Sequence, residues 1–323
     1  MDKKLISVVV PCYNEEEVLP LFYDEIIKVS DDMKAEHSGL EFEFLFINDG
    51  SGDGTLALLR RLSERDERVR YVSFSRNFGK EAGLFAGLEN ARGDYVVTLD
   101  ADLQHPPRLI PQMYDYVRSG EYDCAATRRI SREGEPKLLS FFSRMFYKII
   151  NGISQTQIID GAQDFRFMTR QMVDAILSMP EYNRFSKGIF SWVGFETKYI
   201  EVNNTERAAG KTTWSFWKLL KYSIEGIMAF STAPLALPIF LGIILLIAAL
   251  ALLVILIVRA CAGNAGSALT LSFLFTLLGG IQLLCTGIMG QYISKLYLEA
   301  KARPKYIVKE TEELYKNNKN KEC

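Results

Sequence analysis

The sequence predicts an α/β protein with a mainly parallel sheet and helices on both faces, followed by interfacial helices and two C-terminal transmembrane helices. Three observations lead there. Short β-branched runs alternate with helical repeats over the first hundred residues, the loops after those runs are rich in carboxylates, and charge then vanishes over two long stretches. Ile6 to Val10, Phe42 to Ile47, Val69 to Phe74 and Tyr95 to Leu99 are the strand-like runs, while Val18 to Met33, Leu56 to Leu62 and Ala82 to Ala91 repeat apolar residues at helical spacing. Strands separated by helices imply parallel pairing, because a parallel partner is reached only through a crossover.

Composition narrows the function classes. The chain has 323 residues, with 38 Lys and Arg against 39 Asp and Glu. A formal net charge of −1 is too balanced for a protein that works by neutralising a nucleic-acid backbone. Cys12, Cys124, Cys261, Cys285 and Cys323 show no paired spacing of the kind a disulfide framework or zinc site needs, so they are expected to be reduced structural residues. Met1 to Ser7 runs straight into the first strand without a signal-peptide core, which places the first domain in the cytoplasm.

In a parallel sheet, ligands collect at the carboxyl ends of the strands. There this sequence puts Pro11, Cys12, Tyr13, Asn14 and Glu15 after the first strand, Asn48, Asp49, Gly50 and Ser51 after the second, and Asp100, Ala101, Asp102, Leu103 and Gln104 after the fourth. The glycine-rich run 49–54 contains Asp49 and Asp53, which would repel phosphates, so the run does not suit a dinucleotide cradle. Carboxylates suit a uracil N–H or ribose hydroxyls. For Asp53, capping of the next helix comes first; for Asp49, ligand contact does. Asp100 and Asp102, at i and i+2 after an apolar strand, offer two hard oxygen ligands to one pocket. Such a pair suits Mg²⁺ or Mn²⁺ completed by substrate phosphates and water. His105 is expected to be a turn residue, and Pro106 and Pro107 to open the next helix.

The motifs VVVPCYNEEE at 8–17, INDGSGDGT at 47–55, SRNFGKEAGLFAGLENARGDYVVTLDADLQHPP at 75–107, DFRFMTR at 164–170 and ERAAGKTTWSFWKLLKY at 206–222, followed by paired spans, resemble family 2 of the glycosyltransferases. The resemblance covers nearly the whole chain and is specific to the polyprenyl-phosphate branch with the Rossmann-like GT-A fold. It implies that Pro11, Tyr13, Asn14, Glu15, Asp49 and Ser51 surround the nucleotide, with Asp100 near it. Asp102 would be the principal metal ligand and Gln104 would line the sugar or acceptor side. Asp164 would orient the nucleophile or act as base, against the alternatives of an ion pair with Arg166 or a helix cap. Arg128, Arg129 and Arg132 in one loop, with Arg207 and Lys211 in another, would hold the lipid phosphate; guanidinium forks match phosphate oxygens. Thr127 stands where the family usually has a small residue, and GKTTW at 210–214 departs from its commoner pattern.

The catalytic domain is expected to occupy 1–212 and to include an interfacial helix near 137–150, where Leu138, Phe142, Met145 and Ile149 recur at helical spacing. A juxtamembrane helix at 213–230 joins Trp214, Phe216 and Trp217 to Lys218 and Lys221, an aromatic and basic mixture suited to headgroups. Residues 226–258 and 260–294 contain no Asp, Glu, Lys or Arg. Each exceeds the roughly 20 residues that cross a bilayer, giving spans at 231–258 and 268–294. Lysines before the first span and after the second, with Arg259 alone between, put both ends in the cytoplasm of a bacterial inner membrane by the positive-inside rule. The tail is 295–323, with Lys316 to Cys323 expected to fray.

The function these features imply is inverting transfer of a sugar, glucose first, from UDP-glucose or a similar donor to undecaprenyl phosphate for cell-envelope glycosylation. A homotetramer is reasonable for the family. Rival readings are a polysaccharide or other glycan acceptor, and a non-catalytic membrane scaffold.

Overall fold

The computed structural model describes residues 3–104, 106–129, 159, 161–179, 181, 182, 184–202, 247, 254 and 268–322. The alternation of strand and helix appears as expected, with bounds that agree to within a few residues. Strands β1 (Lys4–Cys12), β2 (Leu40–Asn48), β3 (Val69–Phe74) and β4 (Tyr95–Thr98) alternate with helices α1 (Leu19–Glu36), α2 (Thr55–Arg65) and α3 (Lys80–Asn90). Pro107 opens a short 3₁₀ turn, Pro107–Leu109, that runs into α4 (Ile110–Arg118). Then come β5 (Cys124–Arg129), β6 (Ala162–Thr169), α5 (Arg170–Leu177), α6 (Ser186–Trp192), β7 (Thr197–Val202), α7 (Ala268–Ala300), β8 (Val308–Thr311) and α8 (Glu312–Glu322).

These strands form one sheet of eight in the order β7-β5-β6-β4-β1-β2-β3-β8. The middle is parallel, β4-β1-β2-β3, while β6 and β8 run against their neighbours. The sheet is thus mixed, though mostly parallel. Side-chain alternation divides each central strand between two apolar layers. Val8, Val10, Phe44 and Phe46 pack with Phe22 and Ile26 of α1, whereas Val9, Leu45 and Ile47 pack with Ala82 and Ala86 of α3. Burial on both faces is why the strands read as unbroken apolar runs.

Helix α3 lies very close to the sheet at Gly87, where an added Cβ would fall 2.1 Å from Cγ1 of the fully buried Val9. Gly87→Val therefore destabilises the domain by about 1–3 kcal/mol, the usual cost of overpacking, even though glycine is itself a poor helix former. A thermal melt checks it; an unchanged midpoint would mean that α3 can lift without cost.

The end of the chain corrects an expectation. Residues 316–322 do not fray: they complete α8, where Lys319 pairs with Glu64 at 2.6 Å. Just before it, β8 joins the edge of β3 in antiparallel pairing. Glu310 accepts from Arg60 at 2.8 and 2.5 Å and from the Tyr71 hydroxyl at 2.6 Å; Glu312 accepts from Arg70 at 3.0 Å. A polar tail thus finds its partners on α2 and β3, far away in sequence.

Among the described residues, which include almost none of 231–258, no helix is long and apolar enough to cross a membrane. Helix α7 covers the second expected span; at 1.5 Å per residue its 33 residues reach about 50 Å. It exposes Leu271, Phe275, Met289, Ile293 and Leu296. The segments 137–150 and 213–230, and the first span apart from Ile247 and Val254, lie outside the described residues. Cys12, Cys124 and Cys285 are free thiols.

Candidate active site

The loops after β1 and β2 are fastened into a single cradle at the carboxyl edge of the sheet. The Asn14 amide donates to Ser51 Oγ at 3.0 Å, Gly52 N donates to Asn14 Oδ1 at 2.9 Å, and Glu15 N donates to Thr55 Oγ1 at 3.0 Å. Asn14 has a φ of 57°, a left-handed conformation that asparagine tolerates. Gly50, at φ 64°, passes so close to Arg76 that a Cβ would lie 2.3 Å from its carbonyl carbon. Asn14 and Ser51 thus hold the two loops together. Pro11 and Glu15 are half-buried beside them and Tyr13 is exposed.

Asp49 is buried, and its two oxygens accept the Phe78 amide at 2.6 Å and the Gly79 amide at 2.9 Å. Burial pushes its carboxyl above the usual range, against the pull of those two bonds. Its visible role is to set the turn that leads into α3. Asp53 accepts from Thr55 N and Oγ1 at 3.1 and 2.6 Å and from Glu16 N at 3.2 Å. Burial opposes its charge, but these bonds prevail and hold its carboxyl below the usual range, in the turn-fixing role expected of it at the start of α2.

The centre of the site is the turn after β4. Asp102 Oδ1 accepts the Gln104 amide at 3.1 Å, and Leu103 takes a φ of 57° to close the turn. Asp100 faces Lys80, the first residue of α3, whose Nζ lies 2.8 Å from Asp100 Oδ2 and 2.7 Å from Asp164 Oδ2. Asp164 comes from β6, held against β4 by Thr98 Oγ1 donating to its carbonyl at 2.6 Å. One ammonium therefore bridges two carboxylates from different strands. Burial acts against the charge on Lys80, but Asp100 and Asp164 outweigh it and hold the amine above its ordinary range. Burial likewise disfavours the Asp164 anion, yet Lys80, followed by Lys187, keeps that carboxyl well below the usual range.

The bridge bears on one of the alternatives for Asp164. Its ion-pair partner is Lys80, not Arg166, whose buried guanidinium lies 4.4 Å from the centre of the Phe190 ring. A carboxylate held that low is a poor proton acceptor, so its surroundings favour orientation over base chemistry. Lys80 is the residue that sequence reasoning missed, although it stands inside the 75–107 motif. Its neighbour Glu81 accepts from both the amide and the hydroxyl of Ser186 at the start of α6.

Arg128 and Arg129 end β5 on the same edge, Arg128 exposed and Arg129 half-buried, opposite the start of β6. Arg132, Arg207 and Lys211, like His105, lie outside the described residues. Among the described residues, no group of three or more His, Cys, Asp or Glu is arranged to hold a metal ion. The hard donor set at the turn is Asp100 and Asp102.

The sequence model of glycosyl transferase family 2 matches residues 7–177. The chain is 41% identical to the bactoprenol glucosyl transferase of Shigella phage SfV, over 94% of this chain and 98% of that protein. It is 40% identical to the prophage bactoprenol glucosyl transferase homolog of Escherichia coli K12, with 94% and 98% covered. It is 38% identical to an uncharacterized glycosyltransferase of Synechocystis, sll0501, over 94% of each chain.

Proposed function

Since the chain belongs to glycosyl transferase family 2 and is a glycosyltransferase, we propose that it moves glucose from UDP-glucose to undecaprenyl phosphate at the cytoplasmic face of a bacterial membrane. The observation that carries this reading is the Lys80 bridge between Asp100 and Asp164, beside Asp102, at the carboxyl edge of the sheet. Acid and base are arranged there for a diphosphate rather than for proton traffic. The names of the SfV and Escherichia coli relatives supply the acceptor and the sugar.

In the step itself, an oxygen of the lipid phosphate attacks the anomeric carbon from the face opposite the diphosphate. The new C–O bond forms as the bond to the β-phosphate oxygen breaks, the electron pair leaves with UDP, and the anomeric centre inverts. The acceptor is already anionic near neutral pH, so it needs no strong base. Positioning and charge compensation carry the rate. Lys80 has three N–H donors, of which two point to Asp100 and Asp164; the third is suited to a phosphate oxygen. Mg²⁺ or Mn²⁺ fits the Asp100 and Asp102 oxygens, because such ions are commonly held by one or two carboxylates plus substrate phosphates. When bound, the ion neutralises charge on the departing diphosphate. Gln104 would line the sugar or acceptor side, while Arg128 and Arg129, with Arg132, Arg207 and Lys211, would receive the lipid phosphate.

Membrane anchoring rests on the charge-free stretches 226–258 and 260–294 and on the exposed apolar side chains of α7. In that arrangement 137–150 and 213–230 lie in the interface, 231–258 and 268–294 cross, and homotetramers are the assembly. Purified full-length protein given UDP-glucose, Mg²⁺ and undecaprenyl phosphate should yield glucosyl lipid phosphate and UDP. A panel of UDP-GlcNAc, UDP-galactose and GDP-mannose should run more slowly. Sugar transfer indifferent to the lipid would defeat the acceptor assignment.

A further inference from the structure

The foot of α7 is fastened to the helix that carries Lys80. In its last turn, Glu299 accepts the Tyr182 amide with both carboxylate oxygens, at 2.9 and 3.0 Å. Four residues on, Ser186 is held by Glu81, next to Lys80. Between these points, Arg184 lies 4.7 Å from the centre of the Phe85 ring in α3. Lys305, just past α7, lies 4.1 Å from that same ring. Tyr306 donates to Glu89 at 2.5 Å and accepts from Asn90 at 3.2 Å, both near the end of α3. Helix α3 is thus gripped at its first turn and near its end by contacts that lead to α7. A cleft of about 630 Å³ beside these contacts is lined by Phe85 and Glu89 of α3, Glu299 of α7, Tyr182 and Arg303.

We propose that Glu299 and Glu81 are positioning residues: through Tyr182 and Ser186 they set the Lys80 ammonium between Asp100 and Asp164, and so make the geometry of the site depend on the seat of α7. This rests on the glycosyltransferase reading and extends it to the coupling of a membrane helix with catalysis. The physical requirement is strict, since both bridge distances are below 3 Å and a misplacement of about 1 Å can cost on the order of a hundredfold in rate.

The test uses full-length protein in lipid nanodiscs, with Glu299→Ala, Glu299→Gln and Glu81→Ala. Transfer to undecaprenyl phosphate and slow hydrolysis of UDP-glucose to water are both followed. Glu299→Ala is expected to lower kcat roughly tenfold with donor KM within twofold, and Glu299→Gln to restore most of it, because the amide oxygen still accepts the Tyr182 N–H. Glu81→Ala is expected to lower kcat at least as far. Amide hydrogen exchange at Tyr182 and Ser186 should quicken in Glu299→Ala while the core strands stay protected. Wild-type kcat in Glu299→Ala, or equal loss in Ala and Gln with unfolding, overturns the proposal. Hydrolysis without lipid transfer in the unaltered protein would instead refute the acceptor, and the same variants would still be compared through hydrolysis.

Discussion

Asp102→Asn lowers transfer roughly a thousandfold, which is ~4 kcal/mol at about 1.4 kcal/mol per factor of ten. The substitution keeps the shape of the turn, since the amide oxygen can still accept the Gln104 N–H that Asp102 Oδ1 now receives. It removes a negative charge from the pair of hard ligands that would share a divalent ion with the diphosphate. Binding of UDP-glucose in the presence of Mn²⁺ should weaken, whereas binding of UDP without metal should change little. Circular dichroism and membrane recovery should match the parent protein. Turnover within a few-fold of normal would remove the metal from the mechanism.

Lys80→Met lowers kcat by roughly a hundredfold to a thousandfold, the range seen when a preorganised electrostatic contact to a transition state is lost. Two effects combine. The ammonium proposed to meet the leaving group disappears, and Asp100 and Asp164 lose the cation that lies 2.8 and 2.7 Å from them. The sign of the pH response follows from burial. With Lys80 gone, the desolvation that disfavours the Asp164 anion is opposed mainly by Lys187, so the Asp164 carboxyl moves up from its depressed position. The acid limb of the pH–rate profile therefore shifts to higher pH. In the folded parent, the stabilising charge on Asp164 is present above the usual carboxylate range and is lost only as pH falls well below it. Lys80→Arg should recover little, since a planar fork does not replace a compact ammonium between two carboxylates. An unshifted acid limb with full kcat would show the bridge to be structural only.

Much of this site was legible in the sequence because its cues are local. Carboxylates directly after apolar runs sit at strand ends whatever the rest of the chain does, and Asp100, Asp102 and Asp49 all fall on the carboxyl edge. The Lys80 contacts were hidden by distance along the chain: its partners are 20 and 84 residues away, and a lysine opening a helix after a glycine is ordinary in isolation. Asp49 shows the converse. Its position was readable, but the backbone amides of Phe78 and Gly79 that occupy its oxygens depend on how a third loop folds back. The tail misled for a physical reason. Lys316 to Glu322 read as a polar end with nothing to hold it, whereas Lys319 meets Glu64 on α2, a partner 255 residues away in sequence. Composition reports what a segment is made of, not what meets it.

The return of β8 to the edge of β3 fixes a parity. A chain that starts in the sheet at β1 and rejoins that sheet after α7 must traverse any bilayer an even number of times in between. If the proposed spans cross a bilayer, the β3–β8 ladder requires them to do so in pairs, independently of where the lysines and arginines lie.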